Sequence, residues 1–232
     1  MNFSKTLMSF AAIAVTAVIN SSAMAVQQGD WLVRTRIINI SPNVSSGEIT
    51  FMDGTPVAPP SGIDVDSAVT LDIDITYMFT NNFGVELLLD LTSAHDVNAT
   101  GNLGTAIPGK IAEVTVLPPA LIAQYHFMPQ NNIRPYAGAG ISYTFFMNEK
   151  TTDALTNGLG AGSSDLIVDD TFAFLVQAGV DVDISQNWYV NFDAKYFLMD
   201  TMATIRVDGT NTYQVDFDLD PMILGVGIGT RF

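Results

Sequence analysis

The 232-residue chain has no cysteine and little charge, since charged residues make up 14% of it against about 25% in an ordinary soluble domain. The absence of Cys excludes a disulfide scaffold. Only 9 Lys and Arg stand against 24 Asp and Glu, so the basic footprint of a nucleic-acid-binding protein is missing and no nucleic-acid partner is expected. Apolar residues make up 48%, which excludes a disordered acidic tail. A hydrophobic average thus coexists with a net charge of −15.

The first 25 residues have the order of a secretory signal. Lys5 is the only charged residue before Asp30, an apolar run covers residues 7–19, and Ala23-Met24-Ala25 supplies a small-residue cleavage pattern. The run is shorter than the stretch of about 20 residues that a membrane helix needs, and the rest of the chain has no apolar run of that length. We therefore predict a cleaved signal at 1–25 and a mature domain at 26–232; a buried N-terminal helix is the alternative.

Apolar side chains recur at every second position along most of the mature chain. In residues 69–79 every odd position is apolar, while the even positions include Asp72 and Asp74. A helix with this pattern would have no apolar face, whereas a strand has one. The same alternation, together with three further extended segments, predicts eight strands at about 32–41, 69–79, 85–91, 115–127, 137–145, 172–182, 188–198 and 213–232.

The connections between these strands alternate in length. Short links lie at 81–82, 128–133 and 183–187, and long ones at about 42–67, 94–112, 147–169 and 201–212. Short periplasmic turns and long extracellular loops are typical of outer-membrane barrels. The sequence therefore predicts an all-β fold, an eight-stranded antiparallel transmembrane up-and-down β-barrel with four extracellular loops and three periplasmic turns. A soluble lipocalin-like barrel or a sandwich, with its apolar face turned inward, is the alternative.

The last strand carries the most specific local pattern. Over residues 222–232 the even positions are mostly apolar and end in Phe232, while glycines occupy most of the opposite face. A terminal Phe on such a strand resembles the outer-membrane insertion signal and implies the barrel-assembly machinery as a partner. Upstream the parity is reversed, with Asp216 and Asp218 at even positions. Because a slip of one residue exchanges the two faces of a strand, this reversal predicts a β-bulge near Asp220-Pro221.

Five blocks in order along the mature chain resemble the OmpW family of small eight-stranded outer-membrane proteins. They are Thr76-Tyr77-Met78 with residues 82–88, Leu117-Pro118-Pro119 with Ala123-Gln124-Tyr125, residues 134–140 with Tyr143, Val180-Asp181 with Asn187-Trp188, and Gly229-Thr230-Arg231-Phe232. The resemblance covers most of the mature chain and fails mainly in the long loops. It implies a narrow barrel that passes small, mostly apolar molecules across the outer membrane, without catalysis.

Catalytic chemistry finds little support in the sequence. A nucleophile and its base must lie within hydrogen-bond reach, but the two histidines are predicted on opposite sides of the membrane. His95 is expected as a solvated histidine of the second long loop, and His126 as an interface histidine near a periplasmic strand end. The chain has no Cys and no Gly-x-Ser-x-Gly elbow. We predict that the protein is not an enzyme, and a barrel enzyme near His95 is the weaker alternative.

Two other patterns suggest ligands but have simpler explanations. The alternating glycines at 225–229 do not open a helix in a βαβ unit, as a dinucleotide loop would, and are expected to be small residues facing a crowded lumen. Asp169-Asp170 and the aspartates of 216–220 do not fit a calcium-binding EF-hand loop and are expected to form a solvated acidic rim. No cofactor and no metal site are predicted.

Charge on the lipid face would cost about 2–4 kcal/mol for Arg or Lys at the midplane, so charged side chains of the strands should face the lumen. There they should pair, because unpaired buried charges are costly, and Arg34 or Arg36 should meet the acids of the neighbouring strand. Four apolar residues are expected in the lumen towards the outer mouth. The predicted lumen-lining and transport residues are Arg34, Arg36, Asp72, Asp74, Glu86, Asp193 and Lys195, with Leu88, Leu175, Phe197 and Met199 as the apolar set.

An eight-stranded barrel is just wide enough for its own side chains or one small ligand, which excludes a wide aqueous pore. We predict an outer-membrane channel of a Gram-negative bacterium for the passive uptake of small hydrophobic or amphipathic molecules. The alternative is a non-transporting surface protein with a plugged barrel, whose acidic loops serve adhesion, phage attachment or lipopolysaccharide contact. The expected partners are outer-membrane lipid, lipopolysaccharide and small hydrophobic solutes.

Overall fold

The computed structural model describes residues 25–232, so the predicted signal lies outside the described residues apart from Ala25, and its cleavage stays a prediction. Segments in which apolar and polar residues alternate form strands through most of residues 25–232. In chain order the strands are β1 (Trp31–Ser41), β2 (Ser45–Ser46), β3 (Thr50–Phe51), β4 (Ser61–Val65), β5 (Ala68–Met78), β6 (Phe83–Asp90), β7 (Ser93–Thr100), β8 (Lys110–Leu117), β9 (Ala120–His126), β10 (Ile133–Thr151), β11 (Ser164–Val168), β12 (Thr171–Asp183), β13 (Trp188–Leu198), β14 (Asp200–Val207), β15 (Thr210–Asp218) and β16 (Met222–Arg231).

The described residues also include two helices, α1 (Gly101–Ala106) and α2 (Asp153–Gly158), each of 6 residues. Neither they nor any other helical segment of residues 25–232 is long and apolar enough to cross a membrane.

Eight strands close into an antiparallel barrel in the order β1-β5-β6-β9-β10-β12-β13-β16, and β16 pairs back with β1. The predicted eight-stranded barrel is confirmed. Its short connections, at 79–82, 127–132 and 184–187, lie at one end, and the long connections lie at the other. By the rule for such barrels the short turns face the periplasm and the long connections face the outside.

The four long connections form a folded extension of the barrel, which we call the outer domain (residues 42–67, 91–119, 146–170 and 199–221). One of its sheets runs from the outer end of β10 through β8 and β7 to β4, and the other contains β11, β14, β15, β2 and β3. The predicted single strand at 115–127 is therefore two strands. They part at Pro118-Pro119, since proline has no N–H for the ladder.

The β-bulge predicted at Asp220-Pro221 is absent, and that prediction is wrong. Tyr196 pairs with Met222 in the barrel, and Asp200 pairs with Asp218 in the outer domain. Between the two pairs the chain advances by four residues from 196 to 200 and goes back by four from 222 to 218, so neither strand contains an extra residue. The chain instead turns at Asp220, which has a positive φ of 32°.

The reversal of the hydrophobic pattern arises because the environment on each side of the β15–β16 segment changes between the outer domain and the membrane. Inward odd positions are buried on both sides of the boundary, with Phe217 above and Ile223 below. Outward even positions are Asp216 and Asp218 above, but Met222 and Leu224 below. The outer domain has water outside and an apolar interior, whereas the membrane part has lipid outside and a polar interior. The hydrophobic pattern therefore inverts although the strand geometry does not.

Candidate functional site

A belt of buried polar side chains fills the middle of the barrel. Seven of the eight barrel strands contribute to it, and β16 contributes glycines instead. The belt consists of Arg34, Arg36, Asp72, Asp74, Thr76, Glu86, Gln124, Tyr136, Gln177, Asp181, Asn191, Asp193 and Lys195. Three cations thus face five carboxylates. These side chains face inward because the opposite face of each strand lies against lipid, where charge is costly.

Arg34 joins opposite walls of the barrel through its guanidinium. Its Nη1 donates to Glu86 Oε2 at 3.0 Å on one side, and its Nη2 donates to Asp181 Oδ2 at 3.0 Å on the other. Its Nη1 also donates to Thr76 Oγ1 at 2.8 Å, and the guanidinium lies 4.9 Å from the centre of the Tyr136 ring. Two strands, β13 and β16, lie between β12 and β1 on the shorter way around the wall, so the Arg34–Asp181 pair crosses the lumen.

Arg36 and Lys195 bind the carboxylates above this level. Arg36 Nε donates to Asp72 Oδ2 at 2.9 Å, and its Nη2 forms a close ion pair with Asp74. Lys195 Nζ donates to Asp193 Oδ1 at 2.6 Å. The predicted pairing of the first-strand arginines with the acids of the neighbouring strand is therefore confirmed.

Amide and phenol groups connect the charged pairs. Gln177 Nε2 donates to both Glu86 Oε1 (3.0 Å) and Asp193 Oδ2 (2.9 Å), and Gln124 Nε2 donates to Glu86 Oε2 at 2.7 Å. The Tyr136 hydroxyl donates to Asp193 Oδ2 at 2.7 Å. The belt is thus one continuous network of buried hydrogen bonds and ion pairs across the centre of the barrel.

Glycines of the wall make room for two aromatic rings of the lumen. Gly179 is the cross-strand partner of Tyr136, and Gly229 is the partner of Tyr189. A Cβ on either glycine would collide with the ring of its partner. The prediction that the glycines of 225–229 are small residues in a crowded lumen is confirmed at Gly229. Tyr136 is a site residue that the sequence analysis missed, although it shares the inward phase of Gly138 and Gly140.

An apolar layer and then a cavity lie above the belt. Leu88, Leu175 and Phe197 are almost fully buried and belong to the same hydrophobic cluster as the interior of the outer domain. The cavity has a volume of about 90 Å³ and lies among side chains of both outer-domain sheets. Of its lining residues only His95 and Thr151 carry polar side chains. The others include Ile40, Ile49, Ile63, Val97, Ile111, Val114, Phe146, Leu155, Val168, Met199, Ala203, Val215, Phe217 and Leu219.

The predicted site residues therefore fall into two groups. The seven charged ones (Arg34, Arg36, Asp72, Asp74, Glu86, Asp193 and Lys195) lie in the belt. Of the apolar ones, Met199 lines the cavity, and Leu88, Leu175 and Phe197 lie in the same apolar cluster of buried side chains. In the outer domain, Ile49 and Leu155 are buried at the cavity, whereas Phe51 and Met52 are exposed.

His95 differs from the solvated loop histidine expected from the sequence. It lies on β7, is 5% exposed and faces the cavity. Its Nδ1 is 2.9 Å from the Asp66 carbonyl oxygen, so Nδ1 donates, and Nε2 accepts from the Ser93 hydroxyl at 2.9 Å. Burial lowers the pKa of His95 below its usual value. The ring is thus held neutral in an apolar wall.

The lower lumen holds a second group of polar side chains. His126 lies at the periplasmic end of β9, as expected, but its side chain is fully buried in the lumen and stacks on Tyr136 with 5.3 Å between ring centres. Arg134 and Arg231 share the carboxylate of Asp183, at 2.6 and 3.5 Å. The backbone of Arg231 pairs with Leu32 of the first strand, but its side chain turns towards Asp183.

Five acidic residues of the outer domain gather at one groove. Asp169, Asp170, Asp200, Asp216 and Asp218 line it together with serine and threonine side chains. Within residues 25–232, however, no group of three or more His, Asp or Glu side chains is placed to hold a metal ion.

The sequence and the barrel fold are shared with known proteins. The model of the OmpW family matches residues 27–232. The chain belongs to the OmpW family. It is 35% identical over 223 residues to Outer membrane protein W of Escherichia coli (strain K12), a match that covers 96% of this chain and 97% of the relative. Outer membrane protein W of Salmonella typhimurium is 34% identical over the same shares of the two chains.

Among solved structures, the crystal structure of the outer membrane protein OprG from Pseudomonas aeruginosa superposes with a TM-score of 0.82. The two chains are 29% identical, and the match covers 90% of this chain and 99% of OprG. This OmpW-family protein is therefore an outer-membrane β-barrel of a Gram-negative bacterium. Its relatives are named as outer-membrane proteins rather than as enzymes.

Proposed function

We propose that the protein takes up small hydrophobic or amphipathic molecules passively from outside the cell and has no catalytic role. The observation that carries this proposal is the apolar cavity of about 90 Å³ within the outer domain. Ligand sites are concave and mostly apolar, with few polar groups, and this cavity has that character. An apolar solute gains by leaving water for such a site, at about 25 cal/mol per Å² of surface buried.

The belt determines where a solute can go after it enters. It closes the barrel centre with a connected polar network, so an apolar molecule that entered it would break buried hydrogen bonds and ion pairs. The proposed exit therefore lies above the belt. At Pro118-Pro119 the wall there lacks two backbone donors, because neither residue has an N–H.

The test measures transfer of naphthalene, a fluorescent apolar probe, into outer-membrane vesicles that contain lipopolysaccharide and the protein. Ala203→Glu places a carboxylate in the cavity wall, since Ala203 is 5% exposed and lines the cavity. Thr204→Glu is the matched control, because it adds the same charge to the next residue of β14, on the opposite face. We expect the rate above protein-free vesicles to fall at least about tenfold in Ala203→Glu, since a buried unpaired carboxylate costs more than the corresponding 1.4 kcal/mol.

Thr204→Glu should keep the wild-type rate. Equal rates in wild type and Ala203→Glu would contradict the proposed entry site. A wild-type rate no higher than that of protein-free vesicles would favour the second candidate, a plugged surface protein serving adhesion, phage attachment or lipopolysaccharide contact. The closed belt and the folded, acidic outer domain are the observations that support this second candidate.

A further inference from the structure

The five residues before the first strand, 26–30, follow a defined path that the uptake proposal does not use. We call this segment the strap. It begins at Val26, which is fully buried, and its backbone is hydrogen-bonded at several points to the periplasmic turns. With the predicted signal removed, Val26 would begin the mature chain, and a terminus that is not tied down is normally poorly ordered.

The strap crosses the periplasmic mouth of the barrel. At its end next to β1, Gly29 N donates to the Met78 carbonyl at 2.8 Å, and Met78 N donates to the Asp30 carbonyl at 3.0 Å. At its far end Val26 N donates to the Pro129 carbonyl at 2.8 Å. Pro129 lies in the turn between β9 and β10, which are the third and fourth strands from β1 in the eight-stranded ring. The segment therefore reaches nearly the opposite side of the mouth.

The side chain of Val26, the first residue of the strap, points into the lumen. Val26, Leu32 and Met78 are each 0% exposed and form an apolar cluster of their own, separate from the core of the outer domain. Leu32 and Met78 are inward positions at the periplasmic ends of β1 and β5. The adjacent strap residues Gln27 and Gln28 are exposed. The strap thus has an apolar side that faces the lumen and a polar side that faces the periplasm.

Gly29 lets the chain make this turn. Its φ of +97° is a conformation that residues with a side chain rarely adopt, and its N–H is used in the bond to Met78. Gln28 N is held by the Asn81 side chain at 2.9 Å, which ties the middle of the strap to the turn between β5 and β6.

We propose that the strap is a built-in lid that closes the periplasmic mouth and shields the lower lumen from periplasmic water. The outer domain and the belt close the barrel from the other side. The lower lumen between belt and strap, which contains Arg134, Asp183 and Arg231, is then sealed at both ends. The inference stands on the strap contacts alone and does not depend on the uptake proposal.

The absence of cysteine allows a direct test by single-cysteine labelling without background. Leu32→Cys and, separately, Met78→Cys place a thiol on the lumen side of the strap. Gln27→Cys places one on its exposed, periplasmic side. Each protein is inserted in lipid nanodiscs and treated with a sulfonated maleimide. With the strap intact, we expect Leu32→Cys and Met78→Cys to react at least about tenfold more slowly than Gln27→Cys, since burial of Val26 stabilises the closed position by more than that ratio requires.

Two changes displace the strap by different means. Gly29→Pro removes the N–H and forbids the positive φ, and Val26→Asp places a charge against the apolar cluster. In either background the thiols at positions 32 and 78 should react about as fast as that of Gln27→Cys. Heat-dependent gel mobility checks that the barrel is still folded. Fast labelling of both thiols under an intact strap would overturn the proposal. So would slow labelling that persists in folded Gly29→Pro and Val26→Asp proteins.

Discussion

His95 shows how one side chain can carry a pH dependence. In the folded protein the buried ring is neutral, with Nδ1 bound to the Asp66 carbonyl and Nε2 to the Ser93 hydroxyl. Asp96 is the charged neighbour that favours protonation, but its effect is smaller than that of burial. The pKa of His95 is therefore lower in the folded protein than the ordinary value of 6.5.

The sign of the pH effect follows from this difference. As the pH falls, the unfolded chain binds a proton at His95 before the folded protein does, so unfolding becomes easier. The stabilisation is complete above pH 6.5 and decreases as the pH falls from there to the lower folded pKa. We expect the melting temperature of the outer domain to fall between pH 7.5 and pH 5 by more in wild type than in His95→Gln. An equal fall in both proteins would contradict this assignment.

At the same scale, the sequence was a good guide to which charged residues face the lumen. Alternation placed Arg36 and Asp72 on the inward face, and they are bound to each other. It did not indicate Tyr136 as part of the belt, because an aromatic ring suits lipid as well as lumen. The distinction depends on Gly179 across the strand pair, which leaves space for the ring.

At the level of strands, the β15–β16 line passes from water into lipid without changing its register. Its outward residues are charged above the boundary and apolar below it, because water and lipid select different side chains for the same face. The error in predicting a β-bulge came from treating a change of environment as a change of geometry. A one-dimensional pattern cannot separate the two, since both reverse the parity.

This explanation predicts opposite responses to one substitution at two outward positions of the same line. Leu224→Arg, in the membrane part, should lower the free energy of unfolding in lipid vesicles by about 2–4 kcal/mol if Leu224 lies near the midplane. Asp216→Arg, in the outer domain, should change it by less than about 0.5 kcal/mol, as is usual for surface positions. Urea unfolding followed by tryptophan fluorescence provides the measurement. Comparable losses in both variants would mean that the boundary has been misplaced.

At the scale of the whole molecule, the charge is divided between the two halves. Sixteen of the 24 acidic residues lie in the outer domain, but only three of its residues are Lys or Arg. The acids are Glu48, Asp53, Asp64, Asp66, Asp96, Glu113, Glu149, Asp153, Asp165, Asp169, Asp170, Asp200, Asp208, Asp216, Asp218 and Asp220, and the bases are Lys110, Lys150 and Arg206. The acid excess is therefore mainly a property of the outer surface.

A negative outer surface should discriminate between solutes of the same shape. We expect octanoate to associate with the protein more slowly than octanol at low salt, because the acidic surface repels the anion. Salt should remove most of this difference, since the screening length falls from roughly 30 Å at 0.01 M to roughly 8 Å at 0.15 M. Stopped-flow displacement of a fluorescent apolar probe measures both rates, and octanol serves as the control for salt effects on the cavity. A rate for octanoate that does not depend on salt would show that the outer charge plays no part in entry.

The sequence by itself determined the class of the molecule. Period-two alternation, the even strand number and the alternating loop lengths specify a closed barrel, because a membrane strand must put apolar groups on one side and satisfy its backbone through its neighbours. They also determined the inward charges, since lipid excludes Arg34 or Lys195 from the other face.

Only the tertiary structure decided what the long loops do and how the barrel ends are closed. The outer cavity is formed by residues far apart in the chain, such as Ile49, Val114 and Val215, and local alternation carries no information about which of them meet. The strap depends in the same way on Val26 reaching a turn some hundred residues away, at Pro129. Such contacts arise from the closure of the barrel, which brings strands together that the sequence keeps apart.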